Sequence, residues 1–147
     1  MSGEKKKLVV LVVEDQSHDY VLIERSIKAL EDRGIKCELH WVKTGEDALD
    51  FLYRRGEYAD APRPNLVLLD LRLPGMSGLE VLSEIKKDEK LRKIPVVVLT
   101  VSESEADMIR AYDSGASAYL QKPTHPGDFE KLLNTVWEYW RVVKLPE

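Results

Sequence analysis

The chain has 147 residues, the size of one ordinary domain, and 44% of them are apolar, enough for one hydrophobic core and too many for a disordered chain. Lys plus Arg number 22 against 26 Asp plus Glu, a formal net charge of −4 that argues against nucleic-acid binding, where a basic surface is the usual mark. No apolar run nears a membrane span, the basic start Met1–Lys7 is followed by only six apolar residues before Glu14, unlike a secretory signal, and the lone Cys37 permits neither an internal disulfide nor a cysteine-built metal site, so the expectation is a cytoplasmic globular protein.

Leu8–Val13 is an unbroken Val/Leu run, as in a strand buried on both faces of a parallel sheet. Tyr20, Ile23, Ile27 and Leu30 recur at helical steps and predict a first helix that stops at Gly34. Cys37–Val42 is a weaker strand candidate. Glu46–Arg54 carries Ala48, Leu49 and Leu52 on one face of a second helix, ended by Gly56. Arg55–Pro64, with Pro62 and Pro64, reads as a surface loop before a third strand, Asn65–Leu69. Ser77 is the expected N-cap of a helix marked by Leu79, Leu82 and Ile85. Ile94–Leu99 is the fourth strand, Glu103–Ser114 the fourth helix, closed by Gly115, and Ala118–Leu120 a short fifth strand. Phe129, Leu132, Leu133, Val136, Trp140 and Val143 make a stripe on a long fifth helix. Strict alternation of strand and helix implies right-handed βαβ units and a doubly wound parallel α/β sheet. The chain contains no repeat, low-complexity tract or linker, which predicts one domain.

In open α/β sheets, ligands sit beyond the carboxyl ends of the strands. Glu14 and Asp15 follow the first run, Asp70 the third, Thr100 the fourth and Lys122 the fifth. If strands 1 and 3 are neighbours, three carboxylates converge with a hydroxyl and an ammonium beside them. Two carboxylates about 5 Å apart repel by roughly 3 kcal/mol at an effective dielectric of about 20, and a divalent cation relieves that. Few, hard oxygen ligands in a partly open site suit Mg²⁺, and the strand ends hold no His or Cys for zinc. Each residue alone reads as a cap or a surface group; together they are chemically matched. A carboxylate beside Mg²⁺ can attack a phosphoryl group and form an aspartyl phosphate, whose oxygens Mg²⁺, Lys122 and Thr100 would share. No strong base stands near, so hydrolysis should be slow.

Glu14-Asp15, Asp70 within Leu-Leu-Asp-Leu-Arg-Leu-Pro-Gly-Met-Ser-Gly, Thr100 within Val-Val-Leu-Thr, and Lys122-Pro123 resemble the receiver domain of response regulators. The chain also resembles the stand-alone regulators associated with bacterial phytochromes, through Val-Glu-Asp followed by Asp19, the Gly56–Pro64 insertion, Ala111-Tyr112, and Trp140…Val143-Lys144-Leu145-Pro146. The resemblance implies a flavodoxin-like, CheY-like (βα)5 fold with strand order 2-1-3-4-5. It implies a single receiver domain over 8–144, after a short basic tail at 1–7, with no output domain. Its function would be that of a phosphorelay protein accepting a phosphoryl group on Asp70 from a histidine kinase or phosphotransfer protein and signalling through other proteins. Such a domain is not an enzyme, beyond slow self-catalysed phosphoryl uptake and loss. Asp15, Asp70 and the backbone carbonyl of Arg72 would bind Mg²⁺, with Glu14 acting through water. Lys122 would contact the phosphoryl group, Thr100 and Tyr119 would form a switch, and the Lys122–Pro123 bond would be cis. Two positions depart from the common pattern. Val101 replaces a small residue, which predicts narrower access, and Arg72 stands where Asn or Met is frequent, which predicts a phosphoryl lifetime that depends on it.

Of the aromatic residues near the last helix, Trp140 continues the apolar stripe. Trp137 and Tyr139, two apart, face different ways, so at least one should join Tyr112 at the surface. Exposed aromatics mark interfaces, and Tyr112, Trp137 and Tyr139 are the expected homodimer or partner surface formed by helix 4, strand 5 and helix 5. His18, His40 and His125 read as surface or packing residues, and Cys37 as a small buried apolar one. The rival function is a Mg²⁺-dependent phosphatase with an aspartate nucleophile, but such enzymes place a second Asp where Arg72 stands, and a guanidinium cannot act as acid and base. An unphosphorylated adaptor is a third reading. Nucleotide binding is weaker still, for want of a Walker A or G-x-G-x-x-G sequence.

Overall fold

A computed structural model of the protein describes residues 7–143. The elements alternate along the chain: β1 (Leu8–Val13), α1 (Ser17–Asp32), β2 (Cys37–Val42), α2 (Gly45–Tyr53), β3 (Leu66–Leu69), α3 (Gly78–Lys87), β4 (Val96–Thr100), α4 (Glu105–Asp113), β5 (Ala118–Gln121) and α5 (Pro126–Val142). A single 3₁₀ turn at Gly56–Tyr58 opens the loop that leads to β3. The strands form one sheet in the order β2-β1-β3-β4-β5 with every pairing parallel, which is the expected 2-1-3-4-5 topology.

Alternate residues of the central strands feed two separate cores, since side chains along a strand point to opposite faces. Leu11, Val13, Val67, Leu69, Val96 and Val98 face α2 and α3, where Leu49, Phe51, Val81, Leu82 and Ile85 meet them. Val10, Val12, Leu66, Leu68, Val97 and Leu99 face α1 and α5, against Ile23, Ile27, Leu133, Val136 and Trp137. Burial on both faces is why β1, β3 and β4 read as continuous apolar runs. By contrast α4 puts only Ala111 into the core.

Most boundaries fall where the sequence places them. Ser77 caps α3 through its side chain, and Glu80 returns the contact in a capping box. β4 begins two residues later than expected because the Ile94 N–H closes the preceding turn on the Leu91 carbonyl and Pro95 has no N–H to give. β3 likewise starts after Asn65, whose side chain and main chain both bind Val9, each at 2.8 Å. α2 ends on Arg54 in the left-handed conformation, φ 56°, rather than on the glycine two residues on. The Lys122–Pro123 bond is trans, against the resemblance, and trans is the isomer that X-Pro bonds favour by about 0.5–1 kcal/mol. The expected basic tail, apart from Lys7, and the ending Lys144-Leu145-Pro146 lie outside the described residues. No helix among the described residues is long and apolar enough to cross a membrane.

Candidate functional site

The ladder hydrogen bonds run one residue past the strands and so set the site at their carboxyl ends. Glu14 N donates to Val42 O at 3.0 Å, Asp70 N to Val13 O at 3.0 Å, and Lys122 N to Thr100 O at 2.7 Å. Three separate strands therefore deliver Glu14, Asp70 and Lys122 to one place. Carboxylate oxygens of Glu14, Asp15 and Asp70 lie within 4.8 Å of one another. Lys122 is buried among them, and its Nζ donates to Glu14 Oε1 at 2.5 Å, Asp70 Oδ2 at 2.8 Å and Asp19 Oδ2 at 2.9 Å.

The loops hold these groups through the main chain. Gln16 N donates to Glu14 Oε2 at 3.0 Å, and Arg72 N to Asp70 Oδ1 at 3.1 Å. Trp41, stacked flat on Tyr20 with ring centres 4.1 Å apart, donates its indole N–H to the Glu14 carbonyl at 2.7 Å. Gly78 N donates to Leu71 O at 3.0 Å, folding the segment after Asp70 back over β3. A Cβ on Gly78 would stand 2.3 Å from the Asp70 carbonyl oxygen, so this approach needs glycine.

Burial pushes the Glu14 carboxyl up to about 7, against the opposing pull of Lys122. For Lys122, burial works the other way, but the carboxylates of Glu14 and Asp70 outweigh it and hold the ammonium above its usual range. At neutral pH the lysine is charged. The surrounding carboxylates outnumber it, and all the donors of the triad are hard oxygens. That donor set fits a divalent cation of the magnesium or manganese type.

Thr100 is fully buried, and its Oγ1 accepts from Ser102 N at 3.3 Å. Tyr119 Oη donates to the Ser102 carbonyl at 3.4 Å, and Tyr119 N donates to Tyr112 Oη at 3.1 Å. Thr100 and Tyr119 thus meet through Ser102. Sequence reasoning missed that residue, which carries only the weak signal of a small polar residue after a strand. It also left Asp19 without a role in the site, although Asp19 opens the helix after Glu14-Asp15.

Other predicted residues fall as follows. Arg72 reaches Asp70 through its main chain, and its side chain is exposed. Val101 is 53% exposed, Tyr112 49% and Tyr139 61%. Trp137 is a correction: it is 1% exposed, and its Nε1 donates to Ser26 Oγ at 2.7 Å, so it packs α5 on α1 and leaves the surface to Tyr139. Trp140 is in the same core. His18 is exposed beside Asp19, His40 pairs with Glu38, and the His125 ring caps α5 by accepting from Gly127 N. Cys37 is only partly buried.

The sequence matches the family model described as the response regulator receiver domain over residues 10–134. It is 42% identical to the response regulator Rcp1 of Synechocystis sp. over 139 residues, covering 94% of this chain and 92% of Rcp1. It is 43% identical to the probable methanogenesis regulatory protein FilR2 of Methanothrix harundinacea over 132 residues, 90% of this chain and 83% of FilR2. Among solved structures, the Mn²⁺-bound form of Rcp1 superposes with a TM-score of 0.90 at 41% identity, covering 95% of this chain and 99% of that one. The phosphorylated cyanobacterial phytochrome response regulator RcpA gives 0.92 at 36% identity, over 97% of this chain and 100% of its own. Sheet order, the acidic strand ends with their lysine and the matched length agree, and the chain belongs to the response regulator receiver domain family.

Proposed function

We propose that the protein is a phosphoacceptor of a two-component relay, with Asp70 as the acceptor. The observation that carries this reading is the buried Lys122 ammonium bonded to Asp70 Oδ2 at 2.8 Å, with Glu14 and Asp15 beside it. An Asp70 oxygen attacks the phosphorus of a phosphohistidine, a P–O bond forms, and the P–N bond breaks with its electron pair passing to the donor imidazole. Lys122 holds one phosphoryl oxygen, and the Thr100 hydroxyl, turned from Ser102, binds another. The residues for a divalent cation are Asp15, Asp70 and the Arg72 carbonyl, with Glu14 through water. Bound there, Mg²⁺ supplies the positive charge that offsets the crowded oxygens. The Mn²⁺-bound form of Rcp1 supports a divalent cation in this protein too. With the Glu14 carboxylate tied to Lys122 rather than free to activate water, the domain releases phosphate slowly and works as a cytoplasmic signalling module over 8–144 rather than as a turnover enzyme. The phosphatase reading finds no support, since Arg72 holds the place of its acid–base aspartate.

The donor is a histidine kinase of the phytochrome type, a reading supported by the likeness to RcpA, itself a phytochrome response regulator. Readout passes from Thr100 and Tyr119 to a homodimer or partner surface on α4, β5 and α5 that carries Tyr112 and Tyr139 but not Trp137. The test is incubation with Mg²⁺ and phosphoramidate followed by intact mass. The expected result is a base-labile gain of one phosphoryl group that Asp70→Asn lacks, and many rapid turnovers of released phosphate would overturn it. Sedimentation with and without phosphorylation tests the dimer, which a concentration-independent monomer in both states would remove.

A further inference from the structure

An ammonium has three N–H donors, and those of Lys122 are all engaged, by Glu14, Asp70 and Asp19. The three acceptors are not equivalent. Glu14 and Asp70 belong to the triad whose oxygens would face a cation, and Asp19 does not. Asp19 stands in the first turn of α1, where the helix end favours negative charge. It is buried, and its second oxygen faces His18 Nε2 at 3.2 Å. A cation on the triad draws on two of the partners of Lys122, and a phosphoryl group on Asp70 alters one of them again. Only the Asp19 contact lies outside both events. Without it, an arriving divalent cation would repel an ammonium that had lost its charged partners.

We propose that Asp19 is the positioning residue of Lys122, anchoring the ammonium at the strand ends while Glu14 and Asp70 turn to the cation and the phosphoryl group. The inference rests on the receiver reading above and assigns Asp19 no contact with either ligand.

The test has two readouts. In the metal-free protein, the ¹⁵N resonance of the Lys122 ammonium is recorded and assigned by its absence from Lys122→Met. A slowly exchanging signal is expected in the wild type, weaker in Asp19→Asn and lost in Asp19→Ala. Mg²⁺ alone is then titrated against tryptophan fluorescence, with Trp41 bonded to the Glu14 carbonyl as reporter. Asp19→Asn should weaken Mg²⁺ binding roughly tenfold, the scale of one hydrogen bond to a charged group. The same change in the Lys122→Met background should alter it less than about twofold, as expected when the two residues act as a coupled pair. An unchanged ammonium signal in Asp19→Ala overturns the proposal. So does an equal loss of affinity in both backgrounds, which would mean that Asp19 acts on the cation directly. A wild-type protein that binds no Mg²⁺ and takes no phosphoryl group from phosphoramidate refutes the receiver reading instead, and the ammonium spectrum still decides whether Asp19 holds Lys122.

Discussion

Single side chains in this protein are defined by what their polar atoms meet. Ser26 is buried between two helices, where its Oγ accepts from Trp137 Nε1 at 2.7 Å and donates to the Ile23 carbonyl at 2.6 Å. Ser26→Ala strands a buried indole N–H, and the expected loss is about 1–3 kcal/mol in urea unfolding. Trp137→Phe added to Ser26→Ala should then cost little more through hydrogen bonding, since the donor is gone as well. Cys37 differs from the small buried apolar residue that the sequence suggests. Burial, with help from Glu31 and Glu38, pushes its thiol up to about 12 against the ordinary 9.0. The thiolate fraction at pH 8 is correspondingly small, so alkylation should run at least about tenfold slower than for an unperturbed thiol and recover on unfolding. An iodoacetamide time course with and without guanidinium checks this.

At the scale of elements, the segment between β3 and α3 is the most constrained part of the site. Gly78 is both the first residue of α3 and the residue that lies against the Asp70 main chain. An alanine there would put its Cβ 2.3 Å from the Asp70 oxygen and 2.6 Å from Leu71 Cα, both backbone atoms that cannot move aside without shifting the acceptor. At Gly45 the nearest atom is a side-chain methyl of Val81, at 2.7 Å, although the Met76 carbonyl is also close at 3.1 Å. Gly78→Ala should therefore cost several kcal/mol, of the order of overpacking plus strain, and weaken divalent-ion binding as well. Gly45→Ala should cost less and leave ion binding nearly intact. Thermal melts paired with Mg²⁺ titrations separate the two outcomes.

For the molecule as a whole, the net charge of −4 conceals an uneven placement, with buried carboxylates gathered around Lys122 at the carboxyl ends of the strands and the surface Lys7–Glu38 pair at the opposite end of the sheet. Glu38 on the edge strand β2 accepts from Lys7 and from His40, and these bonds hold its carboxyl below the ordinary 4.5. A carboxylate with a depressed folded-state pKa lends stability that is fully present above the unfolded value and lost as pH falls through the folded one. Glu38→Gln should thus remove the small contribution of this surface pair at pH 8, flatten the stability profile below about pH 4.5, and match the wild type at the acid end. Urea midpoints measured across that range decide it.

Much of this molecule is determined by its sequence alone. Short valine and leucine runs without polar breaks suit strands covered on both faces, and their alternation with amphipathic helices points to parallel pairing. Once β1 and β3 lie side by side, Glu14, Asp15 and Asp70 must share one end of the sheet. Lys122 follows a strand in the same sense and arrives at the same end. The tertiary structure decided what no local pattern encodes. Trp137 lies close enough to the apolar stripe of α5 to face either way, and the Ser26 hydroxyl on α1, 111 positions distant, fixes it inward. Thr100 and Tyr119 are joined through the Ser102 main chain rather than to each other. Asp19 meets Lys122 across 103 positions of chain because α1 begins, and β5 ends, at the acidic mouth. Periodicity specifies which face of an element is buried, but the partner of a polar atom depends on distances that only the packed layers set.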